Sequence, residues 1–336
     1  MKHTLLVGSL TLLVGCSGET PTSSGGGSSG SSGSHATSGP GSTTGTGSTT
    51  GGGVTSGSTG SGGVTCPTCS APTQIGALSS AAWNEISGIV ASKDHPGSYY
   101  IHNDSGDSAR FFAMDASGAD QGTFNVSNAT AVDWEDIGRG PCANASESCL
   151  FLADMGDNSA KRTDYKLYRV KEPATLGAGS HAVTAEVIPF SYPDGSHNAE
   201  CLLVNPSSGE IVVVTKSLAG SSAYRFPTPL AANVPVVLEK VTDVVSMPDV
   251  AQLVTGGDVK FDGSLAIVRT YGFAYGYPVQ PGETLGQALA KPPCSLPVAS
   301  EAQGEALGFT LDGSAFITTS EGASSPLNRV TCSPGG

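Results

Sequence analysis

Five segments of the chain repeat one order of residues: an acid, small or apolar residues, a turn, then a β-rich run ending in polar side chains. They are NEISGIVASKDHPGSYYIHNDSGD, DWEDIGRGP…CLFLADMGDN, NAECLLVNPSSGEIVVVTKS, GGDVKFDGSLAIVRTY and GEALGFTLDGSAFITTSEG. The acids that anchor them are Glu85, Glu135, Glu200, Asp258 and Glu305, at separations of 50, 65, 58 and 47 residues. Units of this size, with about four strands each, are the mark of propeller blades. A third strand follows in most units, as RFFAMD, KLYRV, SAYRF and PLNRV. The last unit lacks a fourth, and TQIGALSS upstream of Glu85 supplies it. Closing the ring in this way removes open sheet edges. The expected fold is all-β: a single propeller, five-bladed, closed by an N-terminal strand. The longest interval leaves room for a sixth blade. A β-sandwich is the competing architecture for short strands separated by turn signals.

The rest of the chain organises around that ring. Residues 17–65 are almost wholly Gly, Ser and Thr, a composition unable to bury enough apolar surface to offset its chain entropy. As a flexible tether it would span about 40 Å. Before it, Lys2 and His3 precede TLLVGSLTLLVG, an apolar run suited to export and too short to cross a bilayer. The run ends in Leu13-Val14-Gly15-Cys16, which resembles the lipobox of bacterial lipoproteins. The resemblance implies cleavage before Cys16 and acylation of that cysteine with palmitate-type chains, giving a membrane anchor. Ser17 at the next position is similar to outer-membrane sorting signals. The organisation expected is a signal peptide over 1–15, a lipidated cysteine and tether over 16–65, and a propeller over 70–336. The formal charge is −13, with no Lys/Arg cluster, which excludes neutralising a nucleic-acid backbone.

Export makes disulfides permissible. Cys142 and Cys149 bracket the loop CANASESC, Cys294 and Cys332 form a long-range pair, and Cys66-x-x-Cys69 forms a local disulfide rather than half a zinc site. Cys201, inside the apolar CLLV, is expected as a buried thiol. Gly26-Gly27-Ser28-Ser29-Gly30 matches G-x-S-x-G, but a nucleophile elbow needs a strand before and a helix after, which this tract cannot provide.

In a propeller the first strand of each blade lines the central channel, so a residue at one place in every first strand forms a ring. Glu85, Glu135, Glu200, Asp258 and Glu305 are expected to converge near one mouth. Carboxylates packed so closely repel unless protonated or neutralised. A hard cation with oxygen ligands is the natural neutraliser, and Ca²⁺ accepts six to eight such ligands in flexible geometry. The second strands end in further polar clusters, and these put His102, Asp104, Lys216 and Arg269 on the same face. NDSGD and DMGDN are also good turn sequences in their own right. Trp134 is expected to pack between blades.

Several strings, ISGIVAS…HNDSGD, DWEDIG…LADMGDN, NAECLLVNPSSG, VTGGDVKFDG…VRTY and QGEALGFTLDG, resemble a family of exported bacterial propeller proteins, over nearly all of residues 80–332. That resemblance implies the propeller fold and no particular activity. In a weaker way NEISGIV with HNDSGD, and NAECLLV, are similar to calcium-dependent apyrase-type five-bladed propellers and, more remotely, to esterase-like phytase propellers. The likeness implies a central calcium on inner-strand acids, here Glu85, Glu135, Glu200 and Glu305, and hydrolysis on that face. The chain departs from the pattern in having no arginine cluster for phosphate and in placing an Asp in a Gly-Gly-Asp context.

Two functions follow. One is a membrane-tethered binding propeller that holds Ca²⁺ and meets an extracellular or periplasmic ligand. The other is a metal-dependent hydrolase of phosphate or ester substrates, with His102 or Asp104 as general base and Lys216 or Arg269 stabilising charge. A purely structural propeller, its acids solvated, is the third and plainest case.

Overall fold

The computed structural model describes residues 63–245 and 249–335; the signal segment, Cys16 and most of the tether lie outside them. Five antiparallel sheets are arranged as a β-propeller. Blade one comprises Ile86–Ala91, Ser98–Asn103, Arg110–Asp115 and Asp120–Val126, from the channel outward. Blade two comprises Trp134–Pro141, Ser148–Asp154, Tyr165–Lys171 and Ala185–Ser191. Blade three comprises Ala199–Val204, Ile211–Thr215, Ser221–Arg225 and Glu239–Val245. Blade four comprises Val254–Val259, Leu265–Thr270, Ala274–Pro278 and Cys294–Leu296, with a short helix, Leu285–Leu289, before its last strand.

Blade five comprises Gly304–Phe309, Ala315–Ser320 and Pro326–Ser333. Its outer position is filled from the other end of the chain by Thr68–Cys69 and Thr73–Ala77. The N-terminal strand therefore closes the ring, as the repeat requires. The long interval between Glu135 and Glu200 holds an extra edge strand, Ser180–Val183, added in parallel to blade one, rather than a sixth blade.

Every first strand is buried along its length, save Pro141 at the end of blade two's. The apolar residues form five clusters, one for each blade–blade interface. Near the axis the blades approach so closely that side chains are excluded. A Cβ at Gly308 would stand 2.4 Å from the Ile89 carbonyl oxygen of blade one, the close backbone approach for which a strand glycine is suited. Trp134 lies in the interface of blades one and two, and its Nε1 donates to Thr130 O at 3.0 Å.

Two disulfide expectations are corrected. Cys66 joins Cys294 and Cys69 joins Cys332, so neither a local Cys66–Cys69 bond nor a Cys294–Cys332 bond forms. The cause is ring closure: it lays the N-terminal strand against the last strand, with Cys69 directly opposite Cys332. Cys142–Cys149 clips its hairpin and Cys201 is a buried free thiol, both as expected.

Asp258 also departs from expectation. Strand pairing places it three positions past the head of its strand, at the level of Gly138, Leu203 and Gly308. There it is buried, accepting from its own neighbour Val259 N at 2.7 Å and from Phe309 N of blade five at 2.8 Å. Asp136 does the same between blades two and three, accepting from Ile137 N and Leu202 N, both at 2.8 Å. These acids satisfy backbone N–H groups on the free edges of first strands, which would otherwise be buried without partners. Burial pushes the Asp258 carboxyl up to about 7 despite these two bonds. Replacing Asp258 by Asn turns one acceptor oxygen into a donor facing an N–H. We expect a loss of about 2 kcal/mol, measured by denaturant unfolding; an unchanged midpoint would refute the staple.

Candidate functional site at the acid mouth

The site begins with a repeated irregularity. Each first strand carries a β-bulge near its entry, seen as a skipped residue in the pairing with the second strand. The bulged positions are Ser87, Glu135, Glu200 and Thr255, and in blade five the pair Glu305–Ala306. A bulge re-aims side chains at the rim of a sheet. Ser87 and Thr255 turn their hydroxyls to the next blade, donating to Glu135 O at 2.5 Å and Gly304 O at 3.0 Å. Glu135, Glu200 and Glu305 bring their carboxylates together and are each at most 4% exposed.

A second ring lies above the first. The residue after each second strand donates its backbone N–H to the carbonyl two residues before the bulge. The pairs are Asp104–Glu85, Met155–Asp133, Lys216–Asn198, Tyr271–Leu253 and Glu321–Gln303, at 2.8 to 3.2 Å. This fivefold bond fixes Asp104, Met155, Lys216, Tyr271 and Glu321 at the mouth. It also shows that Glu85 matches Asp133 rather than Glu135, and Glu85 is accordingly exposed at the rim.

The two rings divide the mouth by charge. On the side of blades three and four, Lys216 Nζ donates to Glu200 Oε2 at 2.5 Å and to the Tyr271 hydroxyl at 3.0 Å. Burial alone would lower the lysine pKa, but Glu200 and Tyr271 outweigh it and raise it. On the side of blades five, one and two, Asp104, Glu305 and Glu321 present carboxylate oxygens within 4.8 Å of one another. Asp104, Asp133 and Glu135 do the same. Asp104 belongs to both groups.

Burial, then repulsion from neighbouring carboxylates, pushes these groups up. Asp104 reaches about 7 and Glu305 about 9, and Glu135, Asp133 and Glu321 are also raised. Glu305 Oε1 accepts from the Tyr271 hydroxyl at 3.4 Å, while its Oε2 is fully buried with no hydrogen-bond partner among the described residues. A Cβ at Gly156 would stand 2.1 Å from Glu135 Oε1 and 2.5 Å from Asp133 Oδ2, so only glycine leaves these oxygens their place. Buried carboxylate oxygens without donors, converging with the spacing of a cation's first shell, fit a hard oxygen-liganded ion.

The other sequence candidates lie elsewhere. His102 is wholly buried between blades one and two, its Nδ1 at 2.9 Å from Asn103 O and its ring against the edge of Trp134. Burial lowers its pKa to about 4, so it is a neutral packing residue away from the mouth. Arg269 is wholly buried, ion-paired with Glu301 and donating to Ala306 O at 2.7 Å, which ties blade four to blade five. The turn reading holds for most of NDSGD and DMGDN. Asn103 braces Ala82 O and Asp107 pairs with Arg110. Asp154 holds Asp133 N and Arg162, and Asp157 takes the Tyr165 hydroxyl. Asp104 is the exception.

No protein-family model matches the chain. No curated protein matches it either. Among solved structures it is similar to a luciferin-regenerating enzyme, with 9% identity and a TM-score of 0.43, over 79% of this chain and 95% of that one. A likeness at this level assigns neither activity nor ligand.

Proposed function

We propose that the protein is an exported, lipid-anchored bacterial propeller that binds Ca²⁺ at its acid mouth and uses the loaded mouth to hold a ligand outside the cytoplasm. The observation that carries the cation is the pair of buried carboxylates Glu135 and Glu305, the latter with its Oε2 unpartnered among the described residues, converging on Asp104. Anchoring through Cys16, at the outer membrane, rests on the lipobox-like LVGC and the Gly/Ser/Thr tether. The described chain enters the propeller near Gln280, which bonds both the amide and the carbonyl of Val64. That residue follows the end of a third strand, Ala274–Pro278, and so lies at the end of the propeller opposite the acids.

Isothermal titration of the EDTA-stripped protein with Ca²⁺ tests this. Saturable binding is expected, with Glu135→Gln weakening it at least tenfold; no heat in the wild type would remove the cation. A hydrolase on the same mouth is favoured by one feature, the Lys216–Tyr271 pair, placed to meet negative charge beside the acids. His102 and Arg269 have no part in it, which leaves Asp104 and Lys216. Turnover of nucleotides, phytate or aryl esters that needs Ca²⁺ and is lost in Glu135→Gln would establish it.

A further inference from the structure

Resting on that cation reading, we infer that the mouth holds two divalent cations side by side, bridged by Asp104. The two carboxylate groups are distinct in their outer members: Glu305 and Glu321 come from blade five, Asp133 and Glu135 from blade two. They share Asp104 of blade one, which lies between those blades in the ring. Each group contains a carboxylate at least nine-tenths buried with an oxygen that no donor among the described residues satisfies. In the first, Glu305 Oε2 is orphaned outright. In the second, Glu135 is 2% exposed, and Gly156 opens the space against which its Oε1 rests.

One ion does not serve both groups. Within each, the oxygens span up to 4.8 Å, the diameter of a shell with metal–oxygen distances near 2.4 Å. Oxygens held by one ion lie within that distance of one another, and the five residues meet it as two sets that share Asp104 rather than as one set. An aspartate offers two oxygens and can give one to each ion, the arrangement of two-metal sites whose ions lie ~3.5–4 Å apart. Charge points the same way. Lys216 is committed to Glu200, and among the described residues no lysine or arginine is ion-paired with Asp104, Asp133, Glu135, Glu305 or Glu321. A single divalent ion leaves most of that charge uncompensated in a half-buried site, where repulsion is strong.

The test is a count. The full chain, stripped and dialysed against Ca²⁺, is assayed for metal per protein, with folding of each variant checked by circular dichroism. Two ions per chain are expected in the wild type, one in Glu321→Gln and one in Asp133→Asn. One ion in the wild type overturns the pair while leaving the cation reading intact; none overturns both. Two ions retained in both variants overturns the assignment to these residues. Mn²⁺ loading of the wild type gives an independent readout that requires no variant. An exchange-coupled electron paramagnetic resonance signal is expected from adjacent ions, and an uncoupled spectrum at two ions per chain overturns the bridge.

Discussion

In EDTA the protein is expected to melt at its highest temperature near pH 5 and to lose stability steadily as the pH rises to 9, and millimolar Ca²⁺ is expected to remove most of that loss. The sign follows from the mouth. Asp104 is raised to about 7 and Glu305 to about 9, and Glu135, Glu200, Asp133 and Glu321 are raised as well, by burial first and by nearby carboxylates, which together outweigh Lys216 at Glu200 and Arg162 at Asp133. A carboxyl whose folded pKa lies above its unfolded value binds more protons when folded. Its favourable contribution is complete below the unfolded pKa and disappears as pH climbs through the folded one. The window is therefore about pH 4 to 9.

Below it the opposite groups take over. Asp107, Asp157 and Asp194 are held low by hydrogen bonds that outweigh burial, and their contribution is lost as pH falls through their folded values. A cation competes with the mouth's protons, so it binds weakly at pH 5 and strongly at pH 9. With Ca²⁺ at about a thousand times its dissociation constant the gain is about 4 kcal/mol, or roughly 10 °C in a domain of this size. Asp136 and Asp258, bonded to backbone deeper in the channel, are also raised but out of the ion's reach. A small residual slope therefore persists with Ca²⁺ and flattens in Asp258→Asn. A melting temperature equally shifted by Ca²⁺ at pH 5 and pH 9 would separate the ion from these acids.

The blade count and the ring closure were legible because they rest on pattern. Acids recur at strand entries that disfavour them, and a unit short of one strand must borrow it. The level of each acid along its strand was not legible, because a bulge inserts one residue without a sequence signature. Ser87 and Thr255 occupy bulge positions that alignment by acids gave to Glu85 and Asp258. Asp104 and Glu321 were visible as polar strand ends, but their shared role depends on the backbone bond that fixes the second ring. In sequence, NDSGD is simply a competent turn. His102 and Arg269 show the converse: both are the next-to-last residue of a second strand, yet both point between blades, since strand side chains alternate. The pairing of Cys66, Cys69, Cys294 and Cys332 failed for a topological reason, the closure itself, while the local Cys142–Cys149 bond was legible.

That closure carries the other large effect. Joint replacement of Cys69 and Cys332 by Ser is expected to lower stability by about 4 kcal/mol, or ~10 °C in the melting midpoint. With Cys66–Cys294 intact, this bond closes a further loop of about 41 residues, through the segments Cys66–Cys69 and Cys294–Cys332. Cys142–Cys149 closes a separation of 7, and its removal is expected to cost a little over half as much by the same chain-entropy argument. A doubly substituted Cys69/Cys332 protein melting within about 2 °C of wild type would show that strand pairing alone latches the ring. Peptide mapping without reductant supplies the direct check, since a Cys66–Cys69 or Cys294–Cys332 peptide would contradict the pairing. The latch and the mouth belong to one blade. Blade five contributes both Glu305 and Glu321, and its outer edge is the strand that Cys69 secures. Loosening that edge is therefore expected to weaken Ca²⁺ at the Glu305–Glu321 position before the Asp133–Glu135 position. A titration of the Cys69→Ser/Cys332→Ser protein that loses both ions in parallel would mean that the two positions do not depend on their blades separately.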